Sequence, residues 1–425
     1  MSISVRSFLK SGIGVAISAI FGVCLIKLIS YHEGPKGVGA FGLFRQFFQF
    51  LAVFYTLGSG YSIVEGLPKS KNKELFIKTA SSYSLLVSVI LSLLILIFQE
   101  QICLAIYSDL KNLHLIRSLP LFIVPLSILQ LVKSSLSGEG FIGRSGVVTA
   151  LPFVLMFAVA IYSRDLFDLY FYSSVLSFLL SLALFQKPLR SLVPKFPIER
   201  IKSLENTSIS TMLTGASGFM SFLAVKAICT HKLGIWNTGL LEASWSLVAY
   251  TTLVFLTSLS VYYLPKVSAD PTQVTFRNHY LTFINGIAAV SLILICLGEN
   301  FFIKLLFTTE FLEMEKLLTW MALGEYLKCL NWFFIFSMIG LSYKKAYIIL
   351  DLCANALLVG AVYFTDLSLL EEIGICYISF QTFYLLGNLF LNFRFKLVST
   401  AWVVGNLGFG LLLWSALLVI KSYGY

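Results

Sequence analysis

Charged residues are scarce in this sequence, and their scarcity excludes a soluble fold. Only 12% of the 425 residues are Asp, Glu, Lys or Arg, whereas 58% are hydrophobic. Ordinary globular proteins are about one quarter charged, so half that fraction leaves too little polar surface to cover a chain of this length. The 38 phenylalanines suit side chains that face lipid. The composition therefore predicts a protein whose surroundings are mostly hydrocarbon.

Patterned cysteines and histidines are also missing. The seven cysteines form no CxxC pair and lie mostly inside apolar segments, and the four histidines are scattered without catalytic neighbours. This distribution implies no disulfide framework and no metal site. No segment between the apolar runs exceeds about twenty residues, which leaves no room for a soluble catalytic domain. We therefore expect no metal site, no cofactor and no enzymatic activity.

Long apolar runs are what the sequence has in abundance. A helix needs roughly 20 apolar residues to cross a bilayer, and thirteen segments lie close to this length. Backbone polar groups in lipid must be hydrogen-bonded within the segment, so each run predicts a helix rather than a barrel strand. The fold class is therefore an all-α polytopic membrane protein. The candidate spans are 11–30, 41–64, 79–98, 119–136, 146–162, 169–186, 207–229, 240–264, 279–298, 317–340, 345–364, 371–391 and 400–420.

Lysine and arginine are distributed unevenly between the two sides of the membrane. With the N-terminus placed in the cytoplasm, 18 of the 31 Lys and Arg lie in cytoplasmic segments, 8 on the opposite side and 5 inside spans. This bias follows the positive-inside rule, which fixes the orientation. The net charge of +10 is therefore a consequence of topology and contact with membrane lipids, and we expect no binding of nucleic acid.

A basic segment near the middle of the chain divides the spans six and six. The segment 187–206 holds five Lys or Arg and three prolines. The predicted organisation is an N-terminal six-helix lobe at 1–186, this cytoplasmic linker, and a C-terminal six-helix lobe at 207–392. A further hydrophobic segment at 393–425 holds a possible thirteenth helix.

The two halves share a short series of features in the same order. Each has a lysine at the end of its first span, then a glycine with an aromatic residue two positions later, and then an LPK sequence. The LPK follows the glycine by 28 residues in the first half and by 30 in the second. This order and spacing favour an internal duplication over chance, and duplicated transporters bind their substrates at the repeat interface. The matched elements are Lys27, Gly39-Ala40-Phe41 and Leu67-Pro68-Lys69, and Lys226, Gly234-Ile235-Trp236 and Leu264-Pro265-Lys266.

Nine charged residues lie inside the predicted spans. A charge at the bilayer centre costs roughly 2.5–3.5 kcal/mol on insertion scales, so several of the nine must lie near an interface. Lys27, Lys133, Lys226 and Glu65 are close enough to span ends to reach the headgroups. The remaining five are harder to explain in this way: Arg45, Glu242, Glu325, Lys328 and Asp351.

Polar residues repeat at helical spacing in three of the spans. In the span 317–340, Glu325, Lys328 and Asn331 follow at i, i+3 and i+6, which places them on one helical face. Such stripes are expected to face a hydrated cavity. The alternative is that Glu325 and Lys328 form a local ion pair that only packs helices. The other stripes are Arg45 and Gln49, with Gln46 adjacent, and Asp351 with Asn355.

These residues together predict a partly cationic lumen inside a lipid-facing shell. Lysine and arginine suit a phosphate or pyrophosphate head group, while the tail of the same molecule stays in the bilayer. The expected ligand is therefore an amphiphilic anion. The candidate substrate-binding residues are Arg45, Lys328, Lys27 and Lys226, and the candidate lumen or coupling residues are Glu325, Glu242, Asp351, Gln46, Gln49 and Asn331.

Three short motifs carry a resemblance to a known family. They are Gly34-Pro35-x-Gly37-x-Gly39 followed by Phe44-Arg45-Gln46, Gly234-Ile235-Trp236 followed by Tyr262-Tyr263-Leu264-Pro265, and Gly324-Glu325-x-x-Lys328. Over about residues 1–392, the chain resembles Wzx-type flippases of undecaprenyl-pyrophosphate-linked oligosaccharides. These belong to the multidrug/oligosaccharidyl-lipid/polysaccharide exporter superfamily. The chain departs from the family in two places, because Glu325 replaces a usual aspartate and the segment 400–420 exceeds the usual twelve spans.

The resemblance implies a V-shaped bundle of six plus six helices that works by alternating access. It implies transfer of a lipid-linked O-antigen-type repeat unit, used for lipopolysaccharide, from the cytoplasmic to the periplasmic leaflet of a bacterial inner membrane. A glycan polymerase and a chain-length regulator are candidate partners. By matching position, the resemblance gives lumen roles to Arg45, Glu325 and Lys328. The location of the membrane carboxylates further predicts coupling to a proton or sodium gradient.

Two other functions stay open on the sequence. The first is a multidrug or metabolite antiporter of the same superfamily. A cation exporter is expected to line its cavity with carboxylates and few lysines, which the cationic residues of this chain disfavour. The second is an integral membrane enzyme of glycan assembly, which is expected to carry a large periplasmic loop. The longest candidate loop, 99–118, is modest.

Overall fold

The computed structural model describes residues 5–58, 60–163, 165–184, 202–259, 263–341 and 343–422. Every regular element within these ranges is helical, so the predicted all-α fold is confirmed. The predicted linker 187–206 lies mostly outside the described residues, and so does the side chain of Glu65.

The chain forms two compact units, Met1–Gly239 and Leu240–Tyr425. The division lies in helix α9 (Ile235–Ser258), while the six-plus-six lobe arrangement stays a prediction. The other helices of the first unit are α1 (Val5–Tyr55), α2 (Tyr61–Gly66), α3 (Lys73–Ile97), α4 (Gln99–Tyr107), α5 (Leu113–Gly138), α6 (Ile142–Tyr162), α7 (Leu166–Leu184) and α8 (Lys202–Leu233).

The second unit is organised around a long buried helix, α12 (Glu315–Gly340), which packs against α11 and α14. Most of the side chains of α12 are buried, although the helix carries several polar residues. The other helices of this unit are α10 (Leu264–Ala269), α11 (Val274–Leu306), α13 (Lys344–Phe364), α14 (Glu371–Phe395) and α15 (Thr400–Ser422).

The described helices have the length and composition of a multi-pass membrane protein. Each of the thirteen predicted spans overlaps a helix within the described residues, and nine described helices are long and apolar enough to cross a membrane. One of the nine is Thr400–Leu417 in α15, the predicted thirteenth segment. Helix α12 is 26 residues long but does not belong to the nine, because Glu325, Lys328 and Asn331 make it more polar.

A break at Gly34 separates the first two predicted spans within α1. Gly34 has φ 62° and ψ −160°, a backbone conformation outside the helical region, and Pro35 follows it. Glycine adopts positive φ at little cost, and proline lacks the N–H that would continue the hydrogen-bond ladder of the preceding turn. The Gly-Pro pair therefore sets the point where the chain changes direction.

The second predicted span, 41–64, is interrupted rather than continuous. Helix α1 ends at Tyr55, and the chain passes through positive φ at Leu57, Gly58 and Gly60 before α2 begins. Glycines permit this turn, and non-helical backbone at membrane depth is tolerated where the protein buries it. Apolar composition alone did not indicate the interruption.

Glycines allow the start of α9 to lie directly against α1. A Cβ atom on Gly39 would lie 2.6 Å from the carbonyl oxygen of Ile235, and a Cβ atom on Gly239 would overlap with the carbonyl of Pro35. The two glycine-aromatic turns that the sequence matches as equivalents thus pack against each other within the first unit. Small residues permit such close backbone approach between membrane helices.

We expect Gly239→Ala to destabilise this contact, because its methyl group has no space beside Pro35. Overpacking of this kind typically costs about 1–3 kcal/mol. The matched control is Gly360→Ala in α13, where no atom lies within 4 Å of the added Cβ. The measurement is the thermal unfolding midpoint of the detergent-purified protein. Equal midpoints for the two variants would contradict the close packing of α1 and α9.

Candidate functional site

A buried lysine and a glutamine from distant parts of the sequence meet in the first unit. Lys226 in α8 is only 3% exposed, and its Nζ donates a hydrogen bond to Gln46 Oε1 of α1 over 3.0 Å. Gln46 Nε2 in turn donates to the carbonyl oxygen of Phe219 over 3.2 Å. In this arrangement the Lys226 side chain points to Gln46 rather than extending to the headgroups. The structure therefore brings together two predicted site residues that are 180 positions apart.

The other predicted residues of α1 differ in their exposure. Arg45 is half-buried, and its guanidinium carbon lies 5.7 Å from the centre of the Phe41 ring, within reach of a cation–π interaction. Gln49 is also half-buried, one helical turn further on. Lys27 is exposed, which fits the interpretation that its side chain extends to an interface.

Glu325 forms the centre of a polar network in the second unit. Glu325 is buried, and its carboxylate accepts hydrogen bonds from three side chains of three helices. Lys328 Nζ lies 2.9 Å from Oε1 and 3.1 Å from Oε2. The Tyr377 hydroxyl of α14 donates to Oε1 over 2.8 Å, and the Thr252 hydroxyl of α9 donates to Oε2 over 3.1 Å. The carboxylate is thus solvated by one cation and two neutral donors.

The glycine beside Glu325 explains how this network is assembled. A Cβ atom on Gly324 would overlap with the ring of Tyr377, so only glycine lets α14 come this close. Trp245 packs edge-on against the same tyrosine ring, with 5.2 Å between the ring centres. The Gly324-Glu325 pair in the sequence motif therefore has a steric as well as an electrostatic basis.

The predicted ion pair between Glu325 and Lys328 is present in the structure. The Glu325 side chain is 1% exposed and that of Lys328 is 18% exposed, so the pair lies at the edge of the buried region. Removing one partner of a buried pair leaves an uncompensated charge and is strongly destabilising. Both a packing role and a ligand-binding role are compatible with this geometry, and a functional measurement separates them.

Asn331 belongs to a second polar cluster on α12 and α14. Its Nδ2 donates to the carbonyl oxygen of Gln381 over 3.0 Å and to Gln381 Oε1 over 2.9 Å. Asn388 Nδ2 donates to Asn331 Oδ1 over 3.0 Å. All three amides are buried. Both ends of the stripe on α12, Glu325 and Asn331, therefore bond to side chains of α14.

The two remaining predicted carboxylates lie on other helices. Asp351 in α13 is half-buried, and its Oδ1 accepts a hydrogen bond from the Tyr384 hydroxyl over 2.8 Å. Glu242 in α9 is 0% exposed and accepts from the Ser246 hydroxyl over 3.1 Å. Asn355 donates back to the carbonyl oxygen of Asp351 over 2.9 Å, which accounts for the predicted stripe on α13.

A third polar chain, which the sequence patterns did not indicate, joins α12, α11 and α15. The Tyr326 hydroxyl donates to Asn285 Oδ1 over 2.6 Å, and Asn285 Nδ2 donates to Asn406 Oδ1 over 3.0 Å. Asn406 Nδ2 then donates to the Thr282 hydroxyl over 3.3 Å. These residues were missed because the chain of contacts joins three separate spans: Thr282 and Asn285 lie in one, and Tyr326 and Asn406 each lie in another. The sequence signal that could have indicated them is an asparagine inside an apolar run, as at Asn285 and Asn406.

The same region fixes the predicted thirteenth helix to the second unit. Arg277 Nε donates to the carbonyl oxygen of Leu397 over 2.6 Å, and the Ser399 N–H donates to Asn278 Oδ1 over 3.1 Å. Helix α15 is continuous over 23 residues, about 34 Å at 1.5 Å per residue, which suffices to cross a bilayer. The geometry thus favours a spanning segment over a re-entrant one.

Tyr326→Phe is expected to weaken this chain, because Asn285 Oδ1 loses its donor inside the helix bundle. Interhelical hydrogen bonds in membrane proteins contribute about 0.6–1.7 kcal/mol. The unfolding midpoint should therefore fall, whereas Tyr172→Phe, at a side chain 49% exposed, should leave it unchanged. A Tyr326→Phe protein as stable as the wild type would show that the chain does not hold α12 to α11.

Comparison with known sequences gives no assignment. No family model matches the chain, and no curated protein matches it. Any relationship must therefore be detected from the three-dimensional structure.

Solved structures of one superfamily match the chain over almost its whole length. The lipid II flippase MurJ in an inward closed conformation has a TM-score of 0.73 at 15% identity, covering 98% of this chain and 93% of that one. An inward-facing multidrug resistance MATE family transporter of the MOP superfamily has a TM-score of 0.67 at 17% identity, covering 96% of both chains. A MOP superfamily transporter from Pyrococcus furiosus, described as having a binding pocket of reverse polarity, has a TM-score of 0.59 at 18% identity, covering 97% of this chain and 95% of that one. The chain therefore has the fold of MOP superfamily transporters.

Proposed function

We propose that this protein is a flippase for undecaprenyl-pyrophosphate-linked oligosaccharides. It moves an O-antigen-type repeat unit from the cytoplasmic to the periplasmic leaflet of a bacterial inner membrane, with its own N-terminus in the cytoplasm, and leaves the substrate chemically unchanged. The observation that carries this proposal is the buried ammonium of Lys226, held by Gln46 among membrane helices. The likeness to a lipid II flippase supports it, because that protein's name also indicates a lipid-linked substrate.

The proposed mechanism rests on solvating an anionic head group inside the membrane. A pyrophosphate cannot enter hydrocarbon without a compensating charge, whereas lysine and arginine supply both charge and hydrogen-bond donors. Gln46 Oε1 accepts a hydrogen bond from the Lys226 ammonium and carries no charge of its own. Arg45 lies one residue before Gln46 on α1 and offers a second cation. The polyprenyl tail stays in the bilayer throughout.

Lys328 has a different part in the proposed cycle. In this structure its ammonium is held by Glu325, and the Tyr377 and Thr252 hydroxyls hold the same carboxylate. Protonation of Glu325 would weaken its attraction for Lys328 and leave that cation available to the substrate phosphate. In the proposed cycle, this step couples a proton gradient to substrate binding.

Replacing the buried cation should abolish transport. Lys226→Met keeps the side-chain length but removes the charge, and we expect surface glycan in a deletion strain complemented with this variant to fall by about tenfold or more. Arg45→Ala and Lys328→Ala are expected to show the same defect. Lipid-linked repeat units should accumulate on the cytoplasmic side in each case.

The matched control is Lys316→Ala, at a side chain that is 81% exposed. It should restore surface glycan fully at equal protein levels in the membrane. Intact glycan display in the deletion strain itself, with no lipid-linked intermediate accumulating, would overturn the flippase proposal.

A separate prediction concerns coupling. Glu325→Gln keeps the size of the side chain and removes its titratable charge, so flipping should no longer respond to an imposed proton gradient. The measurement compares transport rates in vesicles across imposed proton and sodium gradients, with Glu299→Gln as a control on the neighbouring helix α11. Unchanged gradient dependence in Glu325→Gln would contradict a coupling role for this carboxylate.

A multidrug or metabolite antiporter is the second candidate function. The fully buried carboxylates Glu242 and Glu325 favour it, because acidic groups inside the membrane suit cationic substrates and proton relays. This alternative predicts that a deletion strain becomes more sensitive to cationic drugs while its surface glycan is unchanged. Normal drug sensitivity together with lost glycan excludes it.

A further inference from the structure

A pocket lies at one end of the first unit, apart from the Lys226–Gln46 pair. It has a volume of about 430 Å³, within the range of ligand sites in proteins. Three segments form it: the part of α1 from Glu33 to Ala40, which contains the Gly34 break, the connection from α4 to α5, and the turn from α8 to α9. The topology predicts that all three lie on the periplasmic side. We call it the loop pocket.

The walls of the loop pocket depend on unusual backbone conformations. Gly34 and Gly234 adopt positive φ, and so does Ser108, with φ 65°. A non-glycine residue in the left-handed region costs free energy and persists where the surrounding structure requires it. Tyr107, just before Ser108, is buried and donates a weak 3.4 Å hydrogen bond to the carbonyl oxygen of Ala40, so α4 is tied to α1 at this point.

Charges of both signs line the loop pocket and cancel. Glu33 and Lys36 come from α1, and Asp109 and Lys111 come from the α4–α5 connection. Gly37 leaves space for the Glu33 side chain, since a Cβ atom there would lie 2.5 Å from Glu33 Oε2. The lining therefore offers carboxylate acceptors and ammonium donors with no net charge. Such a lining does not suit a bare phosphate, which would need a cationic site.

Neutral hydrogen-bonding groups complete the lining. Ser108, Asn112 and Thr230 add two hydroxyls and an amide, and Tyr107 adds an aromatic ring. Burial raises the pKa of Tyr107 well above its ordinary value, so its hydroxyl stays protonated. A sugar hydroxyl both donates and accepts hydrogen bonds, and it therefore matches a surface of mixed donors and acceptors.

The position of Thr230 connects the loop pocket with the buried lysine. The Thr230 hydroxyl donates to the carbonyl oxygen of Lys226 over 2.9 Å, one turn earlier in α8. Four residues of helix correspond to about 6 Å along the axis. A ligand with a phosphate near Lys226 and a sugar beside it would thus place the sugar toward the loop pocket.

We propose that the loop pocket binds the saccharide of the transported lipid, next to its pyrophosphate. The proposal rests on the proposed flippase function and adds to it a second subsite, which recognises neutral hydroxyl groups rather than charge. The pocket is also expected to contribute to the choice among lipid-linked sugars.

The test compares binding of two lipids to the purified full-length protein in nanodiscs. One probe is undecaprenyl pyrophosphate, and the other is the same lipid carrying a single N-acetylglucosamine. The wild type should bind the glycosylated lipid about fivefold more tightly, which corresponds to about 1 kcal/mol. The double variant Asp109→Ala/Lys111→Ala should bind the two lipids within about twofold of each other, with its affinity for the bare lipid unchanged.

Two further variants make the test specific. Asp366→Ala/Lys316→Ala removes one exposed charge of each sign from the second unit and should keep the fivefold preference. Asp109→Asn retains an acceptor for the Lys111 N–H, which bonds Asp109 Oδ1 over 3.0 Å, and should give an intermediate preference. This variant preserves the turn and so separates loss of ligand binding from loss of folding.

The outcomes separate the two proposals. Equal binding of both lipids by the wild type overturns the saccharide pocket and leaves the flippase proposal standing. Phosphatidylethanolamine, added at membrane concentration, tests whether the pocket holds a zwitterionic head group instead. If it abolishes the preference for the glycosylated lipid, the saccharide pocket is overturned as well. Binding of neither lipid overturns the flippase proposal and the pocket together.

Discussion

A charge among membrane helices is tolerated only where the protein itself supplies the solvation that water would give. This constraint determines how the polar residues of this chain are placed. Lys226 of α8 is buried and bonds to Gln46 of α1, and Glu325 accepts hydrogen bonds from Lys328, Tyr377 and Thr252. Each charge is thus fixed by partners from neighbouring helices. A charged substrate would replace some of these partners and bond to the same charged side chains.

Close helix packing is the second requirement, and glycine provides it where the polar contacts are made. Gly324 lets the Tyr377 ring approach the backbone of α12, so that its hydroxyl reaches Glu325. Gly39 and Gly239 do the same for α1 and α9. Van der Waals contact and interhelical hydrogen bonds hold membrane helices together, because lipid provides little hydrophobic drive between them. Small residues and buried polar residues therefore occur side by side in this fold.

The lengths of the hydrophobic runs predicted where the helices lie. They did not predict the residues at which the helices begin and end. Helix α3 begins at Lys73, six residues before the predicted span, since Asn72 caps it by accepting from the Leu75 N–H over 3.0 Å and Lys78 pairs with Glu74. These polar residues lie outside an apolar run but inside the helix. The interruption after Tyr55 was missed for the opposite reason, because glycines do not lower hydropathy enough to end a run.

The candidate site shows the same division between local and long-range information. Helical spacing placed Glu325, Lys328 and Asn331 on one face, and the structure bears out that arrangement. Spacing could not pair Lys226 with Gln46, nor Asn285 with Asn406, because those contacts join separate spans. Residue spacing within a helix therefore predicts which polar side chains share a face. Which of these faces contact each other depends on tertiary packing, which spacing does not show.

In the proposed function, buried cations let the protein carry an anionic, lipid-linked sugar across a bilayer. The most direct measurement reconstitutes the protein in vesicles that contain undecaprenyl-pyrophosphate-linked oligosaccharide and follows exposure of the sugar to an impermeant lectin. We expect wild-type vesicles to expose inner-leaflet sugar much faster than protein-free vesicles, with the lipid recovered chemically intact. Lys226→Met vesicles are expected to expose it no faster than protein-free vesicles. Wild-type exposure at the protein-free rate, or recovery of a chemically altered lipid, would contradict the proposed function.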